Sequence, residues 1–396
     1  MMKRFKFGLL PRVVTAILLG VLLGAVVPQW CVRVMLTFNS LFSNLLQFLI
    51  PLIIIGLVTP AIADIGKGAG RLLFLTVVIA YGDTVFAGYF SYFTSAGLFP
   101  KLITAGTGLQ QVQDTVSLEP YFTVAIPAMV DVMSALVFSF VVGLGIAHFS
   151  SAALKDVFSE FKEIIAKTIE KIIIPLLPVY IFGMFLNMSF SGQAMRMVQL
   201  FVEIIGVIFA MHILLLLLQF CLAGALTHRN PFRLLLNMMP AYFTALGTSS
   251  SAATIPVTLR QTLKNDVEED VAGFVVPLCA TIHLSGSAMK ITACAVALML
   301  MQGIPFDAGL FTGFILMLGV MMVAAPGVPG GAIMAALGVL SSVLGFDAAQ
   351  QALMIALYIT MDSFGTACNV TGDGAIAVVV NKIKTFNSKE LKTEDR

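Results

Sequence analysis

The sequence predicts an all-α polytopic membrane protein, with eight transmembrane helices plus two re-entrant helical hairpins that form an inverted repeat. Three observations carry this. Of 396 residues, 59% are hydrophobic and only 11% charged, with mean hydropathy +0.98; soluble domains carry about 25% charged residues. Residues 172–195, 204–227 and 308–346 contain no Asp, Glu, Lys or Arg, and about 20 apolar residues cross a bilayer. Finally, two short-armed apolar segments with polar tips each precede a long helix with a polar interruption. The same composition excludes an ordinary soluble domain, and it excludes disorder, which needs low hydrophobicity and high charge.

The elements follow in chain order. Met1 to Lys6 and the apolar run Val13 to Val27 resemble a signal peptide, but no small-x-small cleavage site precedes Pro28. We read an uncleaved first helix near 12–29. Apolar runs predict further helices near 38–64, 71–99, 119–148, 162–189 and 196–227. Residues 231–263 and 308–345 each hold two arms too short for a full crossing. Their tips, Gly247 to Ala253 and Pro326 to Gly331, are rich in helix breakers. Hairpins that enter and leave on one side fit better than four short spans. Broken backbone at membrane depth survives only inside protein or beside water, so the tips are candidate site walls. The last two helices, near 271–303 and 347–382, carry polar interruptions at Thr281–Ser287 and Asn369–Asp373. Paired interrupted segments are the best sequence pointer to a transporter site.

Positive charge sets the orientation. With the N-terminus inside and six crossings before the first hairpin, 19 of the 23 Lys and Arg fall on the cytoplasmic side. They run from Lys3, Arg4, Lys6 and Lys67 to the tail with Arg396. Only Arg33, Lys101 and Arg196 fall outside, and Lys290 falls on neither side. The first hairpin then opens from the cytoplasm and the second from outside, with both termini cytoplasmic. The net charge of +2 gives no reason to expect a nucleic-acid partner, and the five scattered Cys form no disulfide framework or metal cluster.

Ionisable groups at membrane depth are expensive and mark function. The candidates are Asp83, Asp131, Glu203, Lys290, Asp362 and Asp373, with His212 and His283. Asp362 and Asp373 lie about three turns apart and share a helix face with Thr366 and Asn369. One carboxylate could meet a substrate cation, and the other, with carbonyls near Gly372, a hard ion such as Na⁺. Alternatively, Ser and Thr of neighbouring helices satisfy both. The Ser249-Ser250-Ser251 tip offers hydroxyls and amides to a carboxylate at a helix N-terminus.

These residues resemble the dicarboxylate/amino acid:cation symporter family, the glutamate transporter family, in a divergent bacterial-type form. Ser250 to Thr258 resembles the first-hairpin motif, Gly327-Val328-Pro329-Gly330 the second, and Asp362 through Asn369-Val370-Thr371-Gly372-Asp373 the last-helix motif. The resemblance implies that Asp362 receives a substrate amino group. It implies that Asn369 and the Ser250–Ser251 region hold the carboxylate, with Thr366 nearby; Ser287, Lys290, Gly365, Val328 and Gly330 are further candidates for the substrate site. It implies one Na⁺ on Asp373 with carbonyls near Cys279, His283 and Asn369. It implies a second Na⁺ between the Thr281 carbonyl and the carbonyls of Met322, Val323 and Ala325. H⁺ is the alternative coupling ion, and no organic cofactor is implied.

The resemblance further implies a homotrimer in contact with membrane lipid, here the bacterial inner membrane. Residues 1–230 would form mainly scaffold and trimerisation helices, the third helix and parts of the sixth packing with the core. Residues 231–385 would form the transport core, of hairpin 1, broken helix 7, hairpin 2 and broken helix 8. Residues 386–396 would be a cytoplasmic tail.

Two departures from the family pattern matter. Its Asn-Met-Asp-Gly-Thr reads His283-Leu284-Ser285-Gly286-Ser287 here. A third cation site thus loses its Asp, although Tyr81 and Thr84 match other parts of it and Val85 follows. His283 is either a neutral stand-in for Asn or a titrating replacement for that cation. Acidic-substrate members place an Arg at the positions of Gly365 or Ser249, and neither holds one. That favours a small neutral amino acid, unless Lys290, on one helix face with Ser287, supplies the charge to an acidic substrate. Lys290 could equally pair with Asp83 or stand in for the lost cation. The function expected is cation-coupled symport of a small amino acid or dicarboxylate, acidic substrates slightly preferred. Serine/threonine/alanine-like symport and a passive channel are the alternatives. The sequence carries no HExxH, GxSxG or GxxxxGK[ST] motif, so neither an enzyme nor an ATP-driven pump is expected.

Overall fold

The computed structural model describes residues 9–66, 71–102, 118–149, 152–192, 194–326 and 329–394. Lys3, Arg4, Lys6, Lys67, Gly327, Val328 and Arg396 lie outside them. The described residues form helices, without strands. In order these are α1 (Leu9–Gly24), α2 (Gln29–Gly66), α3 (Arg71–Leu102), α4 (Val132–Phe149), α5 (Ala152–Thr168), α6 (Ile174–Phe190), α7 (Ala194–Thr227), α8 (Pro231–Thr248) and α9 (Ser251–Leu263). There follow α10 (Glu269–Ile282), α11 (Ser285–Gln302), α12 (Ala308–Ala324), α13 (Gly331–Leu344), α14 (Ala348–Thr360) and α15 (Asp362–Glu394). A π-helical turn, Ile169–Ile173, makes α5 and α6 one continuous rod.

Seven helical stretches among the described residues are long and apolar enough to cross a membrane, by length and composition. α1, with 16 residues, falls short of that length. The predicted hairpins appear as two helix pairs, α8 with α9 and α12 with α13, each packed partner against partner.

Two sequence expectations are corrected. The helix expected over 119–148 begins only at Val132. Residues 118–131 carry Pro120 and Pro127, which remove amide donors. The segment instead runs along α2. Arg33 Nε donates to the Glu119 carbonyl, Tyr121 N to Thr37 Oγ1, and Asn44 Nδ2 to the Val124 carbonyl. Asp131 then caps α4, accepting from Ser134 N at 2.9 Å. The last broken helix breaks at Met361 between α14 and α15, not at Asn369–Asp373, which lies inside unbroken α15.

α1, α2, α4, α5 and α6 pack on one another, while α3 lies against α11 and α12, and α7 against α15 and α8. α1 and α6 touch closely. A Cβ on Gly24 would stand 2.5 Å from the Leu186 carbonyl oxygen, and Ser189 Oγ donates to the Val21 carbonyl at 2.6 Å. α11 is buried from Ser285 to Met299, and α13 and α14 are buried over most of their lengths, as helices apolar all round must be. α3, α4 and α7 instead expose large apolar side chains such as Phe74, Phe93, Leu144 and Leu222.

Candidate functional site

Helix ends meet at one small cavity of about 30 Å³. Ser251 reaches it from the start of α9, Ser287 from the first turn of α11, Ala332 from α13, and Asp362 and Thr366 from α15. Ala280 and Thr281 line it from the last turn of α10, and Ala325 and Pro326 from just beyond α12. Local sequence produces these ends. Ser250 caps α9 by accepting from Ala253 N, after Ser249 turns the chain at φ +50. Gly330, at φ +76, starts α13. A Cβ on Gly331 would lie 2.2 Å from the Pro326 carbonyl oxygen, so the tip closes only with glycine there. Helix N-termini present free amides and positive dipole ends, which suit a carboxylate, and C-termini present free carbonyls, which suit a cation.

Asp362 is the one carboxylate on this cavity wall, and it is partnered from behind. Lys290 Nζ lies 3.1 Å from Oδ1, and Gly330 N donates to Oδ2 at 2.9 Å. Lys290 is fully buried. Its ammonium sits 3.5 Å from the centre of the Tyr358 ring and 3.4 Å from the Met361 carbonyl oxygen. Gly365 leaves the room for it, since a Cβ there would stand 2.6 Å from Nζ. The break at Met361 thus frees a carbonyl for the ammonium and puts Asp362 at a helix start.

Asn369 joins α15 to the start of α11. Its Oδ1 accepts from Gly286 N at 2.8 Å and Ser287 N at 3.3 Å, and its Nδ2 donates to Ser287 Oγ at 3.1 Å. Ser287 Oγ in turn lies 3.0 Å from Tyr358 Oη. Away from the cavity, His283 bridges two carboxylates, with Nδ1 2.8 Å from Asp373 Oδ1 and Nε2 2.7 Å from Asp83 Oδ2. Ionised carboxylates only accept, so two of them facing both ring nitrogens match an imidazolium, which donates from both. Gln219 Nε2 also donates to Asp83 Oδ2 at 2.6 Å and to Ser285 Oγ at 3.0 Å.

Of the residues expected at the substrate site, Ser251, Ser287, Asp362, Thr366 and Asn369 line the cavity, whereas Ser250, Gly330, Gly365 and Lys290 stand behind its wall. Val328 lies outside the described residues. Pairing of Lys290 with Asp83 is overturned, because Lys290 holds Asp362 and Asp83 holds His283 and Gln219.

Of the expected cation ligands, Thr281 and Ala325 line the cavity. Cys279, His283 and Asp373 are buried together beneath it, and the Cys279 carbonyl accepts from His283 N. The Met322 carbonyl accepts from Ala325 N at a long 3.4 Å, and Val323 is half-buried. No group of three or more His, Cys, Asp or Glu among the described residues could hold a metal ion.

Sequence reasoning missed Tyr358, Gln219 and Ser363, whose hydroxyl meets that of Ser249 at 2.7 Å. Gln219 had a signal, being the lone polar side chain in the apolar run Ile213 to Leu222. Tyr358 had none, since an aromatic in an apolar run reads as packing.

The chain matches the sodium:dicarboxylate symporter family over residues 9–383. It is 36% identical over 168 residues to the excitatory amino acid transporter 3 of Mus musculus, covering 42% of this chain and 31% of that protein. Its identity to the excitatory amino acid transporter 4 of Mus musculus is 31% over 301 residues, 72% of this chain and 51% of that protein. The serine/threonine transporter SstT of Acinetobacter baylyi is 24% identical over 394 residues, 95% of this chain and 98% of that protein. The chain thus spans about a third to a half of the mammalian relatives, and nearly all of the bacterial one. All three are named as transporters.

Proposed function

The chain belongs to the sodium:dicarboxylate symporter family, and on that premise we propose that it is a secondary active transporter that couples Na⁺ to symport of a small amino acid or dicarboxylate by alternating access. The meeting of helix N-termini and C-termini at the Asp362 cavity supports this most. It offers a substrate carboxylate free amides and a coupled cation free carbonyls. The paired helical hairpins act as re-entrant gates, which a passive pore does not need. In this reading residues 231–385, with α3 and part of α7, move against the remaining helices of a homotrimer. The exposed apolar faces of α3, α4 and α7 meet lipid or neighbouring protomers. The chain sits in the bacterial inner membrane with both termini cytoplasmic.

Of the two proposed Na⁺ sites, the one between Thr281 and Met322, Val323 and Ala325 has helix-end carbonyls beside the cavity. At the other, Asp373 is already paired with His283. Uptake into proteoliposomes tests the reading, with Na⁺ and pH gradients imposed separately and aspartate, succinate, serine and alanine offered in turn. Saturable uptake driven by the Na⁺ gradient is expected. Non-saturating flux, or uptake indifferent to both gradients, would remove it. Asp373→Ala should abolish the Na⁺ dependence, and intact Na⁺-coupled uptake in that variant would exclude the site at Asp373.

A further inference from the structure

We infer that Lys290 is a resident counter-ion: it supplies to Asp362, from inside the protein, the ammonium that would otherwise arrive on the substrate, and so restricts the cavity to small carboxylates without an amino group. This rests on the symport reading above and narrows it to a substrate class.

The argument is one of charge and space. Asp362 carries the only carboxylate on the cavity wall, and both of its oxygens are engaged, by Lys290 Nζ and by Gly330 N. A carboxylate has lone pairs to spare, so occupancy alone does not exclude a further donor. Charge does. A substrate ammonium at Asp362 would share one carboxylate with a buried ammonium of the same sign, in a low-dielectric site.

Nor can Lys290 step aside. It is fully buried, seated over the Tyr358 ring and within reach of the Met361 carbonyl. The space it fills exists only because residue 365 is glycine. Lysine and glycine together make a built pair rather than a passing rotamer. Much of the remaining wall donates. Ser249, Ser251 and Ser287 offer hydroxyls, while Thr366 spends its own on the Asp362 carbonyl, and α9 and α13 begin there. A carboxylate finds donors on this wall, whereas an ammonium finds no free carboxylate.

The test uses the full-length protein in proteoliposomes with a Na⁺ gradient, and labelled succinate, malate, aspartate and serine. Succinate or malate uptake should exceed that of aspartate and serine by about tenfold or more. Lys290→Met, which keeps the apolar stem and frees Asp362, should move the aspartate-to-succinate ratio toward aspartate by about tenfold or more. Equal or greater uptake of the amino acids by the unaltered protein overturns the inference, as does an unchanged ratio in a folded Lys290→Met.

Should that variant fail to fold, Lys290→Met/Asp362→Asn decides, because it leaves no unpaired buried charge. It should keep succinate uptake and still reject aspartate. Loss of succinate binding in the folded double variant would mean that Lys290 touches the substrate itself, and would also overturn the inference. Absence of gradient-driven uptake for every compound would instead defeat the symport reading, so the two failures are distinguishable.

Discussion

Single residues in this chain are chosen for their partners, and the partners explain what substitution should do. Gly365→Ala would drive a methyl to within 2.6 Å of the Lys290 ammonium and 2.9 Å of its Cε, so the buried side chain must shift off the Tyr358 ring. We expect a loss of about 1–3 kcal/mol, as for other overpacked sites, read from chemical denaturation in detergent. His283→Ala leaves Asp83 and Asp373 buried or half-buried without their shared partner. The expected cost is about 3–5 kcal/mol. Part of it should return at high Na⁺, because a cation bound only by the folded protein stabilises it. Thermal unfolding at low and high Na⁺ checks this, and a Na⁺ response no larger than that of the unaltered protein would count against it. The burial of Asp362, Asp373, His283 and Lys290 within apolar helices was legible in the sequence, because charge within apolar runs is conspicuous. Their pairing was not. Helix periodicity gives the face a residue occupies, but not which helix faces it, so the sequence offers Asp83 to Lys290 and does not reveal Asp362 as its partner.

At the scale of elements, apolar runs fixed where helices lie, and caps and prolines fixed where they end. The sequence Asn369-Val370-Thr371-Gly372-Asp373 reads as a breaker but stays helical. Thr371 donates back to the Ala367 carbonyl at 2.7 Å. Asn369 spends its side chain on α11. Gly372 serves close approach, since a Cβ there would lie 2.9 Å from the His283 ring. The real break, at Met361, has no breaking residue in sequence; Lys290 and the tip of the second hairpin hold its two sides. α14 begins with a full capping box, in which Asp347 accepts from Gln350 N at 2.8 Å and Gln350 Oε1 accepts from Asp347 N at 2.7 Å. Asp347→Ala should therefore cost about 1 kcal/mol, and Asp347→Ser should recover most of it. Equal denaturation midpoints for all three proteins would show that packing alone fixes this end.

For the whole molecule, the burial pattern separates helices that face outward from those that carry the site. The last two apolar stretches, Glu269–Gln302 and Asp362–Lys384, are 89% buried over their most apolar windows, against 28% for Leu72–Leu102 and for Val132–Phe149. The order of the apolar helices and the two packed helix pairs were readable from apolar runs and polar tips. The extended stretch along α2 was not, because its prolines stand within an otherwise apolar region. The Lys290–Asp362 pair has one more consequence, for the return stroke of the carrier. A site that needs its ligand's charge to quiet a buried carboxylate resists travelling empty, and is biased toward one-for-one exchange. On the reading proposed above, Lys290 itself quiets the Asp362 carboxylate, so the carrier is free to return unloaded. Substrate-loaded vesicles should then release their contents into substrate-free buffer nearly as fast as into buffer containing substrate. A large acceleration by external substrate would show that the empty carrier is the slow one.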